Sequence, residues 1–275
     1  MHPAEGERNA VVGFSAQYGL AARVVLAKLG TLEWISVADP SVGVADDFQF
    51  QSAATRHAVQ VKWAQYPGSF GWGDLAGAAK GKESLWRRLA DAWLRIRTVF
   101  SGPLVIHLRS NEHASTGRPG ASTPLGRCAV TQPVHFAAFL ARSLVPAQEQ
   151  ISRRKLQWDH FIVLEEVADW RPAWQALQVE SRLNEDDFLR FIGDLSIHFG
   201  PPVDEPLLRP EHAPVDDDLV HLAATLQSLV ADPARPVQLS RIEYLDRLGW
   251  VDRLRYRYQH AFPIPAVYTE VDPIR

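Results

Sequence analysis

Asp47, Gln60 and Lys62 could place a carboxylate, an amide and an ammonium group at one site. Thirteen positions separate Asp47 from Gln60, and Gln60-Val61-Lys62 forms a Gln-x-Lys tripeptide. A carboxylate beside a side-chain amide or a backbone carbonyl suits Mg²⁺, which takes oxygen ligands. A lysine next to the metal can orient or help deprotonate a water and can stabilise the charge that builds on a phosphate. The alternative is structural: an acidic pair, Asp46-Asp47, that opens a turn, and an edge-strand charge at Lys62.

A β-hairpin would bring these residues together. Residues 48–51 and 56–63 have the composition of two strands, and the small polar run 52–55 between them predicts a turn. Because side chains alternate along a strand, Gln60 and Lys62 should face one way while the apolar residues between and beside them face the core. The acidic residue before the first strand and the lysine could therefore meet at one end of the hairpin.

A helix is predicted upstream of the hairpin. From Gly13 onward, apolar residues recur at helical spacing, and the pattern ends at Gly30. Gln17 is expected in the first turn of this helix.

The order of these motifs resembles that of the PD-(D/E)xK nucleases of the restriction-endonuclease-like superfamily, in the form in which Gln replaces the Glu of the last motif. A glycine, an aromatic residue and a Gln on the first helix are followed by an acidic residue and then by Gln-x-Lys. The resemblance implies a site for Mg²⁺, or for Mn²⁺ in its place, with a lysine that acts on the attacking water or on the transition-state charge. The implied catalytic residues are Asp47, Gln60, Lys62 and Gln17, and the implied metal ligands are Asp47, Gln60, Asp39 and Asp46.

Segments 39–48, 60–68 and 105–111 carry a closer resemblance. They look like the double-stranded-DNA nuclease domain at the N-terminus of bacterial antiphage proteins, where it is fused to a STAND-type or related P-loop ATPase. The resemblance covers roughly residues 11–120. Ala38-Asp39 stands where that family has a Glu-Asp pair before the proline, so one candidate carboxylate is missing.

The net charge of -3 gives no overall basic field for nucleic-acid capture, so DNA contact must come from a local patch. The candidates are Tyr66, in the turn after Lys62, the basic run 153–155, and Arg87, Arg88, Arg95 and Arg97 on a helix predicted at 84–99. A solvated helix face for the arginines and a packing turn for the tyrosine are the alternatives.

The chain of 275 residues, 46% of them hydrophobic, can bury a large core. Its one cysteine, Cys128, excludes an internal disulfide and favours a reducing compartment. The sequence contains neither a signal-peptide pattern nor an apolar run of about 18 residues, so we expect a cytoplasmic protein that does not contact a membrane.

The predicted fold class is α/β: a restriction-endonuclease-like core, with a mixed sheet flanked by helices, and a C-terminal helical extension. The core spans residues 11–125 and includes a buried strand at 104–108, in which His107 is expected to be a satisfied core histidine. The extension spans 126–239, and the segment 240–275 reads as a connector toward an ATPase. Further helices are predicted at 134–145, 148–167, 185–199 and 216–230 and from a capping box at Ser240, and the glycine-rich segment 72–82 is expected to be loose.

The sequence thus favours a Mg²⁺-dependent endonuclease that degrades double-stranded DNA as the effector of an antiphage protein. The family resemblance implies a dimer or higher oligomer, because two sites are needed to cut both strands, and it implies a fused P-loop ATPase and sensor region. Two alternatives stay open. One is a catalytically inactive nuclease-fold module for nucleic-acid binding or assembly, motivated by Ala38, and the other is a nuclease directed at RNA.

Overall fold

The structure, a computed structural model, describes residues 3–28, 31–43, 45, 47–78, 81–115, 170–200, 216–231 and 239–240. Asp46, Cys128 and the helices predicted at 134–145 and 148–167 lie outside the described residues. So does the 240–275 connector beyond its first residue.

A six-stranded mixed sheet forms the centre of the described fold. Its strands are β1 Leu32–Val37, β2 Phe48–Ser52, β3 Thr55–Lys62, β5 Leu104–Ser110, β7 Leu195–His198 and β8 Leu239–Ser240. Their order across the sheet is β7-β5-β3-β2-β1-β8. Strands β1, β2 and β3 form an antiparallel meander, and β5 and β7 continue the sheet parallel to β3. This arrangement, with helices on both faces, confirms the predicted α/β fold class. A separate parallel pair is formed by β4 Ser69–Phe70 and β6 His113–Ala114.

The predicted hairpin is formed by β2 and β3. Ala53 and Ala54 connect them with φ values of 50° and 63°. Two consecutive left-handed residues are typical of the tight hairpin turn whose twist matches that of the strands. The register pairs Phe48 with Val59, so continuing it by one residue puts Asp47 opposite Gln60.

Helices cover both faces of the sheet. They are α1 Pro3–Lys28, α2 Trp72–Ala76, α3 Leu85–Val99, α4 Trp170–Ser181, α5 Glu185–Asp194 and α6 Asp216–Ala231. Among these described helices, none combines the length and the apolar character needed to cross a bilayer.

Three predictions about secondary structure are wrong. Helix α1 begins at Pro3, a favourable first helical residue, and not at Gly13, so Gln17 lies in the middle of the helix rather than in its first turn. The helix predicted at 185–199 ends at Asp194, because the alternating residues that follow it pair with β5 as strand β7. Within the segment 72–82, expected to be loose, residues 72–76 form the short helix α2.

Strand β3 is buried on both faces. Val59 and Val61 pack against α1 and α6 in one core, and Ala58 packs in a second core with the tryptophans of α3 and the phenylalanines of α5. The predicted alternation is therefore present, but the face that carries Gln60 is also covered, and Gln60 is only 4% exposed.

Residues 170–200, from the predicted extension, are packed into the second core. The Asp194 carboxylate accepts hydrogen bonds from Trp93 Nε1 at 2.8 Å and from Arg97 at 2.6 Å, which ties the end of α5 to α3. The described part of the 126–239 segment thus supplies β7 to the edge of the core sheet beside β5 and the first residue of β8 to the opposite edge, as well as helices to both faces of the sheet.

Three histidines are hydrogen-bonded in a row across β3, β5 and β7. His57 Nδ1 lies 3.0 Å from His107 Nε2, and His107 Nδ1 lies 3.1 Å from His198 Nε2. His107 is thus a satisfied core histidine, as predicted. Burial lowers the pKa of His57 to about 4, with a smaller effect from the charge of Lys28. Burial, followed by the charges of its two histidine neighbours, holds the pKa of His107 well below its usual value.

Lowering the pH from 7.5 to 5 should destabilise the fold. The folded-state pKa of His57 is depressed, so the unfolded chain binds its proton first, near pH 6.5, and the stability present above that pH is lost as the pH falls toward about 4. We expect the free energy of unfolding, measured by urea denaturation, to fall by about 1–2 kcal/mol through His57. His57→Gln should show a smaller fall, and an equal fall in both proteins would contradict this assignment.

Candidate active site

The Asp47 side chain lies at the open end of the β2-β3 hairpin, where two N–H groups hold it. Its Oδ2 accepts hydrogen bonds from Gln60 Nε2 at 2.5 Å and from the backbone N–H of Val61 at 2.5 Å. Both donors come from β3, so the strand that carries Gln60 and Lys62 also fixes the position of the carboxylate.

The Gln60 amide bridges two oxygen atoms. Its Nε2 donates to Asp47 Oδ2 and also to the Val61 carbonyl at 3.0 Å. The amide oxygen is attached to the same carbon as Nε2, so turning the amide would offer that oxygen to the same place. A carboxylate, a backbone carbonyl and an amide oxygen are hard ligands of the kind that Mg²⁺ takes.

These oxygens fit a magnesium or manganese ion by their chemistry. Among the described residues, no group of three or more His, Cys, Asp or Glu side chains is placed to hold a metal. Of the described carboxylates, Asp47 is the one that is hydrogen-bonded to Gln60, so these residues would offer a cation the Asp47 carboxylate, and water or substrate oxygens would complete its shell.

Gln17 reaches the same place from α1. The side chain is buried, and its Nε2 donates a 2.8 Å hydrogen bond to the Asp47 carbonyl. The backbone N–H of Ala38 donates to the same carbonyl at 3.2 Å. Gln17 therefore contacts the backbone of Asp47, which carries the carboxylate, and it links the first helix to the hairpin end.

Asp39 has a different set of partners. Its Oδ1 accepts from the N–H of Ser41 at 2.9 Å, and its Oδ2 accepts from Gln49 Nε2 at 3.3 Å. Gln49 in turn accepts from Arg56 at 2.8 Å. The structure thus brings Asp47, Gln60 and Gln17 together and builds Asp39 into a separate buried network, while Asp46 lies outside the described residues.

Lys62 ends β3 and lines a cleft of about 400 Å³. By strand alternation its side chain leaves the same face as Gln60, so Lys62 connects the cleft to the hairpin end, whereas Asp47 and Gln60 are not among the residues that line the cleft. Sequence reasoning missed most of the other residues of this cleft, because they come from α2, α3 and the loops around them. The cleft is also lined by Trp63, Ala64, Phe70, Asp74, Gly77, Lys82, Glu83, Leu85, Arg88 and Glu112.

No protein-family model matches the chain, and no curated protein sequence matches it. Among solved structures, one that matches is the Cap4 SAVED/CARF-domain containing receptor of Acinetobacter baumannii, solved with the cyclic trinucleotide 3'3'3'-cAAA. The identity is 10% and the TM-score 0.41, and the match covers 90% of this chain and 49% of the receptor chain. This chain therefore spans about half the length of that receptor. A likeness at this level transfers neither an activity nor a ligand.

Three of the residues predicted to contact DNA, Arg87, Arg88 and Tyr66, differ in their surroundings. Arg88 is exposed and lines the cleft beside Lys62. Tyr66, 83% exposed, lies in the loop after β3. Arg87 forms a 2.8 Å ion pair with Asp91 and donates to the Ser181 carbonyl, so its contacts join α3 to α4.

Asp47→Asn should weaken the binding of Mn²⁺ by about tenfold or more, because it removes the carboxylate that Gln60 and the Val61 N–H hold at the hairpin end. Asp39→Asn is the matched control: it removes a buried carboxylate that Ser41 and Gln49 already hold, and it should leave the affinity unchanged. A Mn²⁺ titration followed by thermal shift measures both. Equal weakening in the two variants would show that Asp39 is a ligand as well.

Proposed function

We propose that this chain is a metal-dependent endonuclease domain that hydrolyses DNA phosphodiesters. The observation that carries the proposal is the meeting of the Asp47 carboxylate, the Gln60 amide and the Val61 carbonyl at the end of a hairpin whose last strand residue, Lys62, lines a cleft. The order of motifs along the sequence, which resembles that of PD-(D/E)xK nucleases, supports the same reading.

The residues divide the chemistry between holding a cation and handling the phosphate. Asp47, Gln60 and the Val61 carbonyl would hold Mg²⁺, or Mn²⁺ in its place. When bound, such an ion supplies positive charge to the phosphate and makes a nearby water more acidic. The Lys62 ammonium would hold the attacking water or donate to a phosphate oxygen as charge builds there. Gln17 would keep the carboxylate in place through the Asp47 backbone.

The proposed substrate is double-stranded DNA, and the proposed context is an antiphage protein with a fused P-loop ATPase and sensor region. Both rest on the family resemblance of the sequence. Arg88 and Lys82, on the cleft wall, are suited to contact phosphates near the scissile bond. Two copies acting together would cut both strands.

A catalytically inactive nuclease-fold module is the second candidate, and two observations favour it. Ala38 stands where the family has a Glu, and the Asp39 carboxylate is held by Ser41 and Gln49. Among the described residues, this leaves the Asp47 carboxylate at the hairpin end. An RNA-directed nuclease would use the same residues, so substrate choice must be measured.

Incubation of the purified protein with plasmid DNA and with RNA, with and without Mg²⁺, tests the proposal. We expect Mg²⁺-dependent cleavage of DNA, reduced about 100-fold or more in Lys62→Ala while the free energy of unfolding changes by less than about 1 kcal/mol. Lys82→Ala, at a second lysine of the same cleft, should change the rate only a few-fold, through DNA affinity. Parental cleavage by Lys62→Ala would move the site elsewhere, and cleavage of RNA alone would establish the RNA alternative.

The isolated chain should be a weak nuclease until several copies are brought together. Its net charge of -3 gives a single copy poor electrostatic capture of DNA, and clustering raises the effective concentration of sites on one duplex. The test fuses the domain to a heterologous oligomeric scaffold and compares plasmid cleavage per site with the monomer at equal domain concentration. Equal rates would exclude proximity as the switch.

A further inference from the structure

The chain just after β3 is held by a side-chain-to-backbone contact beyond the last pair of strand residues. Strands β3 and β5 pair in parallel up to Lys62 and Ser110. The next residue of β5's chain, Asn111, then makes two hydrogen bonds to the backbone of Ala64. Its Oδ1 accepts from the Ala64 N–H at 2.9 Å, and its Nδ2 donates to the Ala64 carbonyl at 2.8 Å.

An asparagine side chain carries one acceptor oxygen and an NH₂ donor on a planar amide, the same pair of groups as a peptide unit. The Asn111 side chain therefore takes the place of a backbone partner for Ala64 beyond the end of the strand pair. It extends the pairing of β3 by two residues, to a point where the backbone has already left the strand. Lys62 is thus fixed by β5 on one side, and its chain is fixed again at Ala64.

We propose that Asn111 is a positioning residue that fixes the chain at Ala64 and thereby directs the Lys62 side chain into the cleft. Its catalytic consequence rests on the proposed function. A lysine side chain is long and flexible, so the place of its ammonium depends on a fixed backbone at its base. A displacement of about 1 Å at a reacting group can cost on the order of 100-fold in rate.

Asn184 provides a matched control, because it is not among the residues that line the cleft. It caps α5, and its side chain also makes two hydrogen bonds to one residue: Oδ1 accepts from the Asp187 N–H at 2.8 Å, and Nδ2 donates to Asp187 Oδ2 at 2.8 Å. Asn111→Ala and Asn184→Ala therefore remove the same number of bonds from the same type of side chain.

The experiment measures the NMR signal of the Lys62 side chain and the rate of DNA cleavage. The chain has only five lysines, so labelling them with ¹³C-methyl groups gives few NMR signals. The signal that disappears in Lys62→Arg belongs to Lys62. We expect Asn111→Ala to shift the Lys62 signal and to lower kcat by about 10- to 100-fold with KM for DNA unchanged. Asn184→Ala should lower Tm without moving either.

The outcomes separate the two proposals. An unchanged Lys62 signal in Asn111→Ala, with only a lowered Tm, would overturn the positioning role. If the parent protein cuts no substrate, the proposed function fails, and the Lys62 signal still decides the role of Asn111. If Asn111→Ala does not fold, Asn111→Asp keeps an acceptor for the Ala64 N–H but loses the donor to its carbonyl, and the same shift is expected.

Discussion

The backbone of β3 is the element on which the rest of the described structure depends. It pairs with β2 on one edge and with β5 on the other, and helices cover both of its faces. Its position is therefore set by two ladders of backbone hydrogen bonds and by two hydrophobic cores. A strand fixed in this way can carry polar side chains at its end in a constant geometry, and Gln60 and Lys62 lie at that end.

Burial on both faces imposes a second constraint, because a polar group inside the protein costs free energy unless it is hydrogen-bonded. Two networks meet this requirement. Gln60 donates to the Asp47 carboxylate and to the Val61 carbonyl, while Gln49 links Asp39 to Arg56. The first network lies at the end of the hairpin, next to the cleft, and the second lies farther along β2. This separation places Asp47, rather than Asp39, in the network at the hairpin end.

Local patterns predicted the parts of the fold that local forces decide. The β2-β3 hairpin, the helix α3 and the strand β5 follow from alternation, helical spacing and turn composition. Strand β7 could not be predicted in the same way, because four residues after a helix become a strand only when β5 offers them an edge. The partners of Asp39 were equally hidden, since a bond to Gln49 depends on how residues from β2 and the loop before it meet in space.

The choice of Gln rather than Glu at position 60 has a consequence for how the hairpin end behaves. Nε2 of Gln60 lies 2.5 Å from Asp47 Oδ2, where a second carboxylate would meet strong like-charge repulsion without a cation. The neutral amide instead donates a hydrogen bond, so the hairpin end is stable by itself. The same choice lowers the negative charge offered to a metal. Since Mg²⁺ commonly completes its shell with substrate phosphate oxygens, we expect tighter metal binding at this place when a phosphate backbone occupies the adjoining cleft.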